Sequence, residues 1–488
     1  MILPETALIT PAMALQSLLI IPGIAAILLL LIPSFRLGAW LNVLATALTF
    51  MMGLYLFFTP HFIAGLLFVD AFNVYLIALN TFVGMTTSIF SATYIAHELE
   101  RGHLTPKHLR FYHAMYQALL FAMNLALSSN NIGLMWVGLE MATVTTVVMV
   151  GIYRTPEAVE AAWKYFILGS VGIALAFFGT ILIYLVAQPV VGEGMAAMTW
   201  TRLVADSGNM DPKLLSLAFV FLLVGFGTKV GLAPLHAWLP DAHAEGPTPI
   251  SAVLSGLLLN VALYAILRFK MILAGNPESL SPGPILMFMG LLSLLFAGFM
   301  LYQRKDIKRL FAYSSIEHMG IITFAFGMGG ALANFAGLLH MTMHSLTKSA
   351  IFFAVGHVTQ AKGTKDMDAI HGLSESHPAL AWGLALGVIA IAGLPPFGIF
   401  ASEFILVTTT FAREPLLAVI LVVGLLVAFG ALLLRLQELL FGEPDGTSRP
   451  LEASLMPLFV HLALILWAGL HLPENLGIWF ARVADLLG

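Results

Sequence analysis

The sequence has no cysteine and little charge. Without cysteine it has no disulfide, no thiolate nucleophile and no Cys-ligated zinc or iron–sulfur cluster. Any electrons that its function involves must be carried by another subunit. Only 10% of the 488 residues are charged, while 59% are hydrophobic. A soluble domain usually carries about a quarter charged residues, so a surface this poor in charge must face lipid. The net charge of −4 is too small to point to nucleic acid. A basic leader is missing too. Met1 to Gln16 holds Glu5 but no Lys or Arg, so the first apolar run is expected to be a retained helix. There is no Gly-rich phosphate loop for nucleotide-driven transport, and no cluster of aromatic and hydrogen-bonding residues to line a metabolite cavity.

Long apolar runs are what the sequence has instead. A spanning helix takes roughly 20 apolar residues, and about fourteen are expected. They lie near 13–33, 38–59, 66–95, 111–129, 131–153, 163–187, 214–238, 248–270, 283–303, 308–327, 330–357, 379–405, 414–441 and 453–473. Runs of this length are helices, since lipid leaves every backbone group to be satisfied within the segment. The fold class is therefore an all-α membrane protein. Orientation follows from the short loops. With both termini outside, the inner loops hold Arg36, Arg101, Lys107, Arg110, Arg154, Lys164, Arg304, Lys305, Lys308, Arg309, Lys362, Lys365, Arg435 and Arg449. The outer side holds only Arg202, Lys213, Arg268, Lys270, Arg413 and Arg482.

Two lysines fall in neither set, because they lie inside apolar runs. A charge at the bilayer centre costs about 2.5–3.5 kcal/mol on insertion scales. Glu140, Lys229, Lys348 and Glu403 all sit in such runs. One alone would as readily be a structural ion pair as a functional group. Four of both signs on separate helices point to a chain of titratable sites. Burial favours the neutral form of either residue and an opposite charge favours the ionised form, which makes a Lys–Glu pair switchable. His340, His344 and Lys348 are spaced i, i+4, i+8 and share one helix face. A lone buried histidine is more often a packed core residue, but a His–His–Lys stripe suits a proton relay. His318 is a further candidate, with Glu317 beside it expected to point elsewhere. Haem is disfavoured: His344 and His357 share a helix and stand nearly 20 Å apart by rise.

Prolines interrupt two of the runs, at Pro234 and at Pro395–Pro396, where each helix should break. The alternative is a simple kink, which membrane helices tolerate. Both breaks share a Gly-Leu-X-Pro core and have an ionisable residue close by, Lys229 and Glu403. Broken helices in corresponding places signal internal repeats with sites at the midplane. The expected organisation is N-terminal helices over 1–110, one five-helix repeat over 111–270, a second over 283–441, and a last helix over 453–488. Five helices per repeat would make the two copies inverted.

These residues resemble the antiporter-like subunits of respiratory complex I, Mrp-type sodium/proton antiporters and membrane-bound hydrogenases. The most specific stretch is KVGLAPLHAWLPDAHAEGPTPISAVLSG, Lys229 to Gly256. RLFAYSSIEHMG (Arg309 to Gly320), HSLTKSAIFFAVG (His344 to Gly356) and GLPPFGIFASEF (Gly393 to Phe404) support it. Phe111 to Leu168 is most similar to the hydrogenase-4 component F branch, of formate hydrogenlyase type. The chain also ends soon after its last helix, unlike the distal complex I subunit with its long lateral helix.

The resemblance implies fourteen helices in two inverted repeats, each a proton half-channel, in a prokaryotic cell (inner) membrane. It places the family's helix-5 carboxylate on Glu140, the helix-7 lysine on Lys229 and the helix-12 ionisable residue on Glu403. The helix-10 histidine falls on His318, and the helix-11 histidine and lysine on His344 and Lys348. At the bridging position of helix 8 this sequence has Asn260, which cannot carry a proton, so that link would run through water or through His340 and His344. No cofactor or metal is expected in this chain. A nickel–iron centre and iron–sulfur clusters belong to partner subunits, and the partners are other membrane subunits and peripheral hydrogenase subunits. Protons are the expected cargo, with sodium as the other candidate. The other functions in play are a subunit of a Mrp-type antiporter and a non-conducting scaffold for a peripheral enzyme.

Overall fold

The computed structural model describes residues 9–443 and 454–488. Glu5, Arg449 and the start of the last expected helix at 453 lie outside the described residues. In chain order the helices are α1 (Pro11–Leu31), α2 (Phe35–Phe57), α3 (Ala71–Glu100), α4 (Pro106–Ser128), α5 (Ile132–Val150), α6 (Pro156–Val191), α7 (Trp200–Asp206), α8 (Pro212–Val230), α9 (Trp238–Glu245) and α10 (Thr248–Val253). A π-helical turn, Leu254–Leu258, leads into α11 (Leu259–Ala274). There follow α12 (Gly283–Leu301), α13 (Ile307–Met328), α14 (Ala331–Lys362), α15 (Leu373–Ser376), α16 (Pro378–Ile391), α17 (Gly398–Arg413), α18 (Pro415–Leu440), α19 (Met456–Leu470) and α20 (Glu474–Leu487).

The helix starts are written locally. Thr10, Thr105 and Thr155 each accept a backbone N–H from the first turn of a helix that opens with proline. Proline gives up no hydrogen bond at that position. Asp70 caps α3 through Phe72 and Asn73, and Asp306 caps α13 through Lys308 and Arg309. The helix expected over 66–95 begins late because a hairpin precedes it. Strands β1 (Phe62–Ala64) and β2 (Leu67–Val69) pair antiparallel, turning at Gly65 with φ +64°, a conformation open to glycine in two-residue turns.

Among the described residues, nine helices are long and apolar enough to cross a membrane, and α19 with α20, bent by 81°, could make a tenth. Helices at the remaining expected positions fall below that measure. α4, α13 and α14 carry the polar residues of the interior, and α16 and α17 are two halves of one interrupted run.

The chain divides into two compact units. The first comprises residues up to Lys229 together with Asn260–Pro282; the second comprises Val230–Leu259 and the residues from Gly283 onward. In the first, buried amides tie helices together, which lipid-embedded packing rewards. Asn80 donates to Asn124 at 2.8 Å, Asn124 to the Leu18 carbonyl at 3.2 Å, and Gln117 to Asn42 at 2.8 Å. α1 and α2 bury only a third of their apolar window, and Trp40 is 74% exposed, as a lipid-facing residue would be. In the second unit α12 and α13 meet backbone to backbone at Gly290 and Gly320, where any Cβ would collide. α13 is buried from Leu310 through Met328 on every face.

Candidate functional site

In the first unit the chemistry centres on Lys229. α8 ends at Val230, and the chain passes through Gly231 (φ +79°), Ala233 and Pro234 before α9 begins. The run expected as one interrupted helix over 214–238 therefore stops being helical just after Lys229. The buried Lys229 Nζ donates at 2.8 Å to the Leu139 carbonyl of α5. Glu140 follows Leu139 in that helix, and its charge and that of Lys229 act on each other. Among the described residues, Glu140 Oε2 has no hydrogen-bond partner. Gly138 allows α5 to lie against the backbone of α4 at Ala122 and Ala126, which fixes the height of Glu140. Asn260 is buried at the start of α11, directly after the π turn. Such turns often accompany functional sites.

The second unit holds a denser cluster. His318 of α13 and His340 of α14 share a hydrogen bond of 2.9 Å between Nδ1 of the first and Nε2 of the second. His340 Nδ1 lies 3.0 Å from Ser402 Oγ of α17. At the other end His318 Nε2 lies 3.5 Å from Glu317 Oε2. These contacts make one row from Ser402 through both rings to Glu317.

Donor counting locates the hydrogens of this row. Ser402 Oγ is also 2.7 Å from the Ile399 carbonyl, which can only accept. The hydroxyl hydrogen points there, so His340 Nδ1 donates to Ser402. His340 Nε2 then accepts from His318 Nδ1. His318 Nε2 makes no hydrogen bond among the described residues and faces the Glu317 carboxylate at 3.5 Å, so a proton received there is the one the row would pass on.

Two other groups flank the row. The ring of His344 lies 5.6 Å from that of His318, and neither of its nitrogens has a hydrogen-bond partner among the described residues. Lys348 Nζ donates to the Phe311 carbonyl at 3.1 Å, and its charge acts on Glu317. Glu403 packs its carboxylate on Gly393, beside the break at Pro395 and Pro396. Gly393 has φ +71°, and a Cβ there would overlap Glu403. Glu317 and Glu403 both line a cavity of about 160 Å³ with Gly393, Leu425, Leu426 and Phe429. At roughly 30 Å³ per water, this could hold a few water molecules.

Two expectations need correction. Glu317 does not point elsewhere: it ends the row at His318 and lines the cavity. Successive residues differ by 100° around a helix, but α13 is enclosed on all sides, so both directions lead into the core. Arg268 and Lys270, counted above among the charges of the outer side, are not solvent-facing: they lie near the end of α11 and are buried. The Arg268 guanidinium makes two contacts with Asp70, at 2.7 and 2.8 Å, and lies 4.4–5.2 Å from the ring centres of Trp200, Tyr264, Phe68 and Phe72. The signal was its place on the side where positive charge is disfavoured.

Fold and site together define a polytopic all-α membrane protein with ionisable residues held between its helices. Residues 129–428 match the family described as NADH:quinone oxidoreductase/Mrp antiporter, TM, and the chain belongs to that family. The resemblance seen in the motifs is right at this level. The chain is 59% identical over 475 residues to the Hydrogenase-4 component F homolog of Methylacidiphilum infernorum (isolate V4), covering 97% of this chain and 100% of that one. It superposes on a chain of the membrane-bound sulfane sulfur reductase, an archaeal respiratory membrane complex, with a TM-score of 0.87 at 23% identity over 97% of each. A chain of respiratory complex I from Thermus thermophilus gives a TM-score of 0.81 at 22% identity, over 98% of this chain and 100% of that one. Both likenesses establish the fold.

Proposed function

We propose that this chain is the proton-translocating membrane subunit of a multisubunit oxidoreductase, a group 4 nickel–iron hydrogenase of formate hydrogenlyase type. The observation that carries the reading is the row Ser402–His340–His318, hydrogen-bonded across three helices, with the Glu317 carboxylate 3.5 Å from the far nitrogen of His318. The 59% identical relative described as a hydrogenase-4 component points to the kind of complex. Lys229 and Glu140 form the switch of the first unit: neutralising Glu140 removes the charge that keeps Lys229 ionised, and burial then favours release of its proton. Lys348 and Glu317 stand in the same relation in the second. Glu403 is the group next to the cavity. His344 is an auxiliary site beside the row. The nickel–iron centre and iron–sulfur clusters lie in partner subunits. The setting is a prokaryotic cell membrane, with both termini outside.

The test is purification of the tagged chain in mild detergent, assayed for co-purifying nickel, iron and hydrogen evolution. All three together are the expected result. Recovery of other membrane subunits alone, with neither metal nor activity, would transfer the chain to an antiporter. For the row itself, Glu317→Gln is expected to slow proton movement into vesicles by roughly a hundredfold, the scale of a lost proton-transfer group, with the complex still assembled. Unchanged movement in that variant would remove Glu317 from the path.

A further inference from the structure

We propose that His318, His340 and Glu403 form a binding site for a divalent transition-metal ion, zinc above all, which blocks the relay when occupied. Binding rests on geometry alone; the blockade rests on the proton-transfer reading above.

The three residues come from α13, α14 and α17. One nitrogen of each histidine and one carboxylate oxygen all lie within 4.8 Å of one another. A tetrahedral zinc ion takes nitrogen at about 2.0–2.1 Å and carboxylate oxygen at about 2.0–2.2 Å. That calls for ligand atoms a little over 3 Å apart, so the facing ring nitrogens open slightly and Glu403 draws in. Two histidines and a carboxylate leave a fourth position, and the cavity beside Glu403 has room for the water to fill it.

The outer contacts match those of a metal site. A ligating histidine usually donates its other N–H to a carboxylate or another oxygen, which fixes the tautomer and the ring plane. His340 has Ser402 in that role, and His318 has the Glu317 carboxylate 3.5 Å from its far nitrogen, close enough to accept once that nitrogen carries a hydrogen. His340 already carries its hydrogen on Nδ1, toward Ser402, so its Nε2 lone pair, which accepts from His318 Nδ1, is the one that would turn to the ion.

The proton balance is definite. The ion takes the place of the hydrogen on His318 Nδ1, and the ring stays neutral by carrying that hydrogen on Nε2, which faces the Glu317 carboxylate. Glu403 binds as carboxylate, so any proton that Glu403 or Glu317 carries leaves. Glu403 and Glu317 then set two negative charges against the two positive charges of the ion, which a buried site of low polarity requires. With Nδ1 and Nε2 both occupied by metal, the two rings can no longer exchange a proton.

Zinc binding is measured by equilibrium dialysis on the purified complex and on complexes carrying His340→Gln or Glu403→Gln, each first shown to be folded by thermal unfolding. X-ray absorption at the zinc edge reads the ligands, and vesicle acidification reads proton movement. The expected result is one ion with two imidazoles that both variants lack, with affinity down by at least about a hundredfold, and proton movement arrested as the ion binds. Specific binding with undiminished proton movement would uphold the site and sink the relay. Binding unaltered by either variant, or absent from the parent complex, would overturn the proposal.

Discussion

Lys229→Ala is expected to abolish proton movement through the complex while leaving assembly intact. The amine is buried at the end of α8 and donates to the Leu139 carbonyl. Alanine removes a costly buried cation together with the group that Glu140 senses. Coupled proton uptake by vesicles should fall by roughly a hundredfold or more. Lys229→Arg distinguishes two roles. Arginine keeps the charge but does not deprotonate in proteins, so it too should stop proton movement. Normal uptake in the arginine variant would make Lys229 a fixed charge, and normal uptake in the alanine variant would remove it from the mechanism.

Asp70→Asn should produce the largest loss of stability of any conservative change in the chain. Breaking a buried ion pair by removing one partner costs about 3–5 kcal/mol, because the other charge stays buried. Arg268 is 0% exposed, and its side chain is enclosed by four aromatic rings. Asparagine preserves the cap on α3, since its amide oxygen can still accept from Phe72 and Asn73. The substitution therefore keeps the cap and removes the charge together with one of the two acceptors that face the guanidinium. Thermal unfolding in detergent should shift down by several degrees, and Arg268→Met in the same chain should restore much of the loss. An unchanged midpoint for Asp70→Asn would show that the rings alone hold the guanidinium.

Much of this was legible in the residues. The scarcity of charge and the long apolar runs dictated the membrane. The apolar runs put helix starts near 13, 111 and 163, two to seven residues inside the starts at Pro11, Pro106 and Pro156, because the first turns there are capped by threonine and, at Pro106 and Pro156, are more polar than the spans. The cost of burying Glu140, Lys229, Lys348 and Glu403 marked them without any knowledge of their neighbours. Spacing within one helix put His340, His344 and Lys348 on a common face.

Contact across helices was not legible. The stripe on α14 suggested a relay running along that helix, from His340 to His344 to Lys348. In the structure His340 instead hydrogen-bonds sideways, to His318 and Ser402, and the nitrogens of His344 have no hydrogen-bond partner among the described residues. Glu317 was dismissed because periodicity says which way a residue points and nothing about what stands there. Arg268 looked like an outer-side charge without a partner because Asp70 is 198 positions away in sequence. Sequence determines the energetic cost that each residue brings to the membrane, since that depends on its own chemistry and its local run. Only the tertiary structure decides which partner meets the cost, because helix packing brings together groups that no local period connects.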